Sequence, residues 1–125
     1  MATVTFEIKT YQIKTARELT AGVQKFRAYI LCRGDEYHTV VYVLDDTSPV
    51  PDNSFLPASK RGTIFVPTWQ YEWFIDLLRN EKPVYCYLNS DTPKWNSLYT
   101  GQESVGEQEN LEVEITARTK SQYGW

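Results

Sequence analysis

GTIFVPTWQYEWFIDLLRNEKPVYCYLN, residues 62–89, reads as a strand, one strongly apolar helix and a second strand with almost no linker between them. Pro67-Thr68 marks the helix start, with Thr68 as an N-cap accepting from the exposed amides of the first turn. The stop is marked by Asn80, which suits a left-handed cap, and by Pro83, which has no amide proton to continue a helix. The spacing therefore predicts a helix over 69–79. At about 100° per residue, Trp73, Leu77, Phe74, Leu78, Tyr71 and Ile75 fill an arc of roughly 200° from Trp69, leaving a narrow remainder to Glu72, Asp76 and Arg79. That arc is wider than one surface stripe. At about 1.5–3 kcal/mol per buried side chain, such a helix is expected to make the largest local contribution to the core, with cover on two sides. The second cover is either more of the same chain or a subunit interface.

Outward from this stretch, Val84, Cys86 and Leu88 alternate with Tyr85, Tyr87 and Asn89, and the turn-rich NSDTPK predicts a partner strand around 95–100. In the other direction, 63–66 is a strand, and 45–61 holds three prolines and no periodicity, which predicts a long flexible loop pinned by Phe55 and Leu56. Two β-rich runs, 23–33 and 36–44, flank Gly34-Asp35, a pair suited to a two-residue II′ hairpin. Pairing Arg33 with Glu36 then sets Cys32, Ile30, Ala28 and Phe26 against Tyr37, Thr39, Val41 and Val43 on an apolar face. The other face pairs Leu31 with His38, Tyr29 with Val40 and Arg27 with Tyr42, and adds Lys25 and Arg33. Residues 3–9 alternate as a half-buried strand, 15–22 read as a polar connection with a helical turn around 16–19, and 111–116 alternate as a last strand.

The 125 residues are read as a single domain large enough to bury about two-thirds of its unfolded surface without staples. The two cysteines, Cys32 and Cys86, lack paired spacing and fall on apolar strand faces, which reads as a reduced, cytoplasmic protein, although a Cys32–Cys86 bridge stays open if the strands are neighbours. There is no apolar leader and no run of 18 apolar residues, so neither a signal peptide nor a membrane span is expected. The net charge of −3 is uneven: residues 1–100 carry eleven basic and eleven acidic groups, and the acidic segment 101–125 carries two and five. A neutral body argues against a duplex nucleic acid held by phosphate contacts. Of the eighteen aromatic residues nine are tyrosines, which bury a ring while keeping a hydroxyl wet.

Most catalytic schemes fail on inventory. One histidine rules out a multi-histidine metal site, there is no CxxC, and no glycine-rich phosphate loop occurs. A Cys32–His38 dyad is excluded by the alternation, which sends the two side chains to opposite faces. Asp45, Asp46 and Asp52 read as turn formers rather than as ligands of a hard cation. No catalytic residue, metal or cofactor is assigned, although a small carboxylate-dependent enzyme stays open. What remains is the second face of the hairpin, where Lys25, Arg27, Arg33 and His38 interleave with Tyr29 and Tyr42, the combination that binds single-stranded nucleic acid or a nucleotide by stacking and phosphate contact. The alternative is that this face is covered by the chain itself or is merely solvated. A second functional class is a homo-oligomer, most simply a dimer, using Trp69, Tyr71, Trp73, Ile75, Tyr85, Tyr87 and Trp95. The order long strand, hairpin, helix, hairpin resembles the OB-fold, whose helix sits between the third and fourth strands and whose sheet face binds oligomers; the strands at 63–66 and 111–116 are additional to that pattern. The expected fold class is α+β, a bent antiparallel sheet or partly open barrel with one main helix.

Overall fold

The computed structural model describes residues 2–21, 24–45, 50–102 and 104–105, and the strand expected at 111–116 lies outside them. Their fold is α+β, with one main helix and two sheets that do not close into a barrel. The smaller sheet has the order β1 (Thr3–Glu7), β7 (Val84–Asn89), β8 (Ser97–Thr100) and is antiparallel throughout. The larger runs β2 (Thr10–Ala21), β3 (Gln24–Arg33), β4 (His38–Leu44), β6 (Arg61–Val66), β5 (Ser54–Leu56). Between β1 and β2 the chain passes from one sheet to the other without a turn. The Ile8 amide donates to the Val84 carbonyl at 2.8 Å and the next amide, Lys9, donates to Arg33 at 2.7 Å.

The first hairpin is present, but its turn is centred one residue later than Gly34-Asp35 suggests. The Gly34 amide donates to the Tyr37 carbonyl at 2.9 Å, so Asp35-Glu36 is the turn, and Arg33 pairs with His38, Cys32 with Thr39 and Ile30 with Val41. Glycine serves close approach here: a Cβ on Gly34 would lie 2.8 Å from the Glu7 carbonyl oxygen and 2.5 Å from the Phe6 ring. A slip of two residues keeps the side chains between the bulge and the turn on their predicted faces. Ala28, Ile30, Cys32, Thr39, Val41 and Val43 are all buried against the smaller sheet and helix. Phe26 is the exception, since a bulge between Phe26 and Ala28 turns it to the second face.

Residues 15–21 are strand, not connection. β2 is an edge strand whose residues 14–18 are all exposed, so no apolar alternation marks it. Its exposed Lys14, Arg17 and Glu18 blunt the edge against pairing with another chain. The segment 45–61 connects β4 to β6, and its described residues include a short strand and a 3-10 turn. It carries the chain back along the sheet so that β6 runs parallel to β4, the one parallel pair among the described strands, and it contributes β5 and the buried Phe55, while Leu56 stays exposed.

The helix, α1 (Tyr71–Asn80), is preceded by a 3-10 turn at Thr68–Gln70. The helical N-cap residue is therefore Gln70, with no side-chain cap, and Thr68 does not take the capping position. Nor is Asn80 left-handed: it is the last helical residue, its amide group donating to Asp76 at 2.6 Å, and the chain leaves through an extended Glu81. The expectation that α1 dominates the core is overturned. Only Leu78 is buried, with Tyr71, Phe74, Ile75 and Leu77 packed partly against the core, while Trp69 is 66% and Trp73 64% exposed. The sheets contribute most of the interior. They meet closely at Gly62, where a Cβ would lie 2.3 Å from Leu88 Cδ2.

Asn96 and Asn53 fasten the seam between the sheets, and Asn89 braces the loop that carries Asn96. Buried Asn96 accepts from the Asn89 amide at 2.9 Å and donates to the Ser54 and Thr63 carbonyls at 2.9 and 3.3 Å. Asn89 accepts from the amides of Asp91 and Thr92, both at 2.9 Å, and Asn53 accepts from the Phe65 amide at 2.8 Å while donating to Pro93.

Candidate nucleotide-binding face

The second face of the larger sheet is built by alternation from the strands already fixed. Register places Lys14, Tyr29, Tyr42 and Phe65 in one row across β2, β3, β4 and β6, then Gln12, Leu31, Val40 and Thr63, then Thr10, Arg33, His38 and Arg61. The first row is aromatic. Tyr42 and Phe65 stack with ring centroids 5.3 Å apart and planes 18° apart, Tyr29 meets Tyr42 edge-on at 6.4 Å, and Phe26 packs its ring against Tyr42 at 4.8 Å from the sheet side. Phe26 is buried, whereas Tyr29, Tyr42 and Phe65 are half-buried.

The third row is basic. His38 lies between Arg33 and Arg61 on neighbouring strands, and partial burial, then Arg61, then Arg33 push its pKa below the ordinary imidazole value. Four residues along a strand separate the rows by about 13 Å. Arg61 closes that gap: its guanidinium reaches back to donate to the Tyr42 hydroxyl at 3.0 Å. A cation is thereby held at the edge of the stacked pair.

Of the six residues read from the sequence, Tyr29, Tyr42, Arg33 and His38 share this face, with Tyr29 directly opposite Tyr42 rather than Val40. Arg27 does not stand beside Tyr42. It falls at the bulge and its guanidinium pairs with Asp45 at 3.6 Å. Beyond the bulge, alternation sends exposed Lys25 to the face opposite that of Phe26. Arg61 and Phe65 complete the site and were not among the candidates. Their signal was present in RGTIFV, where Arg61, Thr63 and Phe65 alternate with Gly62, Ile64 and Val66, but only the parallel pairing with β4 brings them beside Tyr42 and His38.

The residues proposed for an interface divide into two groups. Trp69 and Trp73 stand edge-to-face at 5.5 Å on the outside of α1, above an apolar groove of about 240 Å³ lined by Trp73, Phe74, Leu77 and Leu98, while Tyr71 and Ile75 pack towards the core. Tyr85 and Tyr87 lie on the outer side of the smaller sheet, Tyr85 against Tyr99 at 5.6 Å, and Trp95 is 59% exposed. Cys32 and Cys86 are free thiols, both fully buried, and burial pushes each up to about 12; Cys86 shares a hydrogen bond of 3.1 Å with Thr39. Among the carboxylates considered for a cation, Asp45 faces Arg27, Asp52 is exposed and Asp46 lies outside the described residues. Among the described residues no group of three histidine, cysteine or acidic side chains could hold a metal ion, and no helix is long and apolar enough to cross a membrane. Compared with protein-family models, with curated proteins and with solved structures, the chain matches none.

Proposed function

We propose that the protein is a non-enzymatic, β-rich binding module whose second sheet face takes single-stranded nucleic acid or a nucleotide. The observation that carries this reading is Arg61 held on the Tyr42 hydroxyl beside the stacked Tyr42–Phe65 pair. A base laid on those rings places its sugar and phosphate within reach of a fixed guanidinium, the pairing of stacking surface and cation that sequence-tolerant single-strand binders use. The buried thiols fit a reducing compartment, and we place the protein in the cytoplasm. With a net charge of −3, affinity should be modest and should fall as salt rises. Titration of labelled single strands and nucleotides at two ionic strengths tests it. Tyr42→Ala should lose about 1–3 kcal/mol per stacked base, and Arg61→Ala should also flatten the salt dependence. Absence of binding at low salt, or binding indifferent to the Arg61→Ala/Tyr42→Ala pair, would retire the reading.

A second reading is favoured by one observation. Two exposed tryptophans set edge-to-face, one in the 3-10 turn and one on α1, are an apolar surface of the kind that self-association covers, and a two-fold dimer through this end of the helix is the form proposed. It is compatible with the first, because α1 lies on the opposite side of the larger sheet from Tyr42.

A further inference from the structure

We propose that Arg33, His38 and Arg61 form a subsite for a terminal phosphate monoester, so that the ligand of this face is a nucleic acid strand or nucleotide ending in phosphate. The inference rests on the reading of the face as nucleotide-binding and adds the end group that it recognises. Three features carry it.

The three side chains come from adjacent strands in one row, Arg33 opposite His38 and His38 opposite Arg61, so their origins span only about 10 Å. Among the described residues neither Arg33 nor Arg61 has a carboxylate partner, whereas Lys9, Arg27 and Lys60 are matched to Glu7, Asp45 and Glu36. Like charges set side by side on a sheet repel, and among the described residues no carboxylate is paired with either arginine to offset the repulsion. An anion from outside would. Arg61 leans from this row towards Tyr42, so its guanidinium stands between the third row and the stacked rings, where the end of a strand would pass.

The chemistry favours a monoester over an internal diester. A diester carries one charge, whereas a terminal phosphate, with its second ionisation near pH 6, carries up to two and presents three acceptor oxygens to three donors. His38 contributes most when it is protonated. The groups facing it are Arg33 from β3, Arg61 from β6 and Lys60, whose carbonyl accepts the His38 amide at 3.0 Å and whose own charge is matched by Glu36 across the turn. Arg33 and Arg61 resist protonation of the imidazole, and a bound dianion reverses that resistance, so binding takes up a proton at His38.

Three labelled thymidine pentamers test the subsite: one with a 5′-phosphate, one with a 3′-phosphate and one with hydroxyls at both ends. One phosphorylated form should bind about tenfold more tightly than the unphosphorylated strand at pH 6.5, the gain shrinking as pH rises. His38→Gln and Arg33→Ala should each remove most of that gain, weakening the phosphorylated strand by more than the unphosphorylated one. Because His38 is the single histidine of the chain, its ring proton resonances provide a direct second readout. Their titration midpoint should move up with the preferred phosphorylated strand and stay in place with the unphosphorylated one. Equal binding of all three strands, or a midpoint that does not move, overturns the subsite while leaving the face reading intact. Binding of none of them overturns both.

Discussion

A few residues carry the electrostatic consequences of this fold. His38 has a folded pKa below its unfolded value, so the unfolded chain binds its proton first and stability rises with pH through that range. Its contribution is present above the ordinary imidazole range and is lost as pH falls through the lowered value. Urea denaturation at pH 5 and pH 7.5 should show a smaller loss on acidification for His38→Gln than for the wild type. Cys32 and Cys86 show the opposite sign. Both thiols are pushed up to about 12 by burial, so stability should decline as pH rises from the normal thiol range towards that value, by at most about 1.4 kcal/mol per pH unit for each thiol. A thiol reagent added to native protein at pH 8 should therefore react only at the rate of unfolding; prompt modification of either cysteine would contradict the burial. At this scale the sequence was a good guide to faces and a poor one to partners. Alternation put Cys32 and His38 on opposite sides whatever the register, but the register itself depended on which pair of residues made the turn. Gly34 advertised a II′ hairpin when its need was room for Phe6 and the Glu7 carbonyl, a contact distant in sequence.

Elements were legible where both faces differed and obscure where they did not. β4, β6 and β7 each bury one side completely, and their bounds follow from composition. β2 buries little on either side and reads as a connection; it is a strand because β3 supplies its hydrogen-bonding partner. The 69–79 helix was correctly placed within one or two residues, yet its width was misread, since tryptophan counts as apolar in any periodicity whether it is buried or displayed. Two substitutions test how the elements are joined. Gly62→Ala places a methyl group against a Leu88 side chain that has no solvent to retreat into, and should cost about 1–3 kcal/mol in chemical denaturation. Asn96→Ala removes one acceptor and two donor contacts and strands buried groups on β5, β6 and β7; a loss of about 2 kcal/mol or more is expected, and a loss below about 0.5 kcal/mol would show that the seam does not depend on it.

At the scale of the molecule, the described residues form a pair of open sheets with a helix beside the smaller one, and the α+β class was within reach of the sequence. The parallel β4–β6 pair was not, because nothing in 45–61 declares that it returns the chain to the start of β4. That return is what assembles Arg61 and Phe65 with Tyr42, so two of the six residues of the candidate face were invisible until the topology was known. Surface exposure makes its own prediction at this scale. Trp69→Ser/Trp73→Ser should leave the stability of the isolated chain within about 0.5 kcal/mol, since neither indole is buried, while lowering the mass observed by sedimentation if α1 mediates self-association. A wild-type mass of 14.6 kDa at the highest attainable concentration would dispose of the dimer.

The passage at Ile8–Lys9 ties the sheets into one mechanical unit. Consecutive amides are bonded to different sheets, Ile8 to β7 and Lys9 to β3, so neither sheet can peel away without breaking a bond adjacent to one in the other. Local opening of the smaller sheet alone would have to break the Ile8–Val84 bond one residue from an intact Lys9–Arg33 bond. In hydrogen exchange these two amide protons should accordingly persist as long as those of Ile30 and Cys86 and disappear with the same free energy, the signature of a molecule that opens as a whole rather than layer by layer.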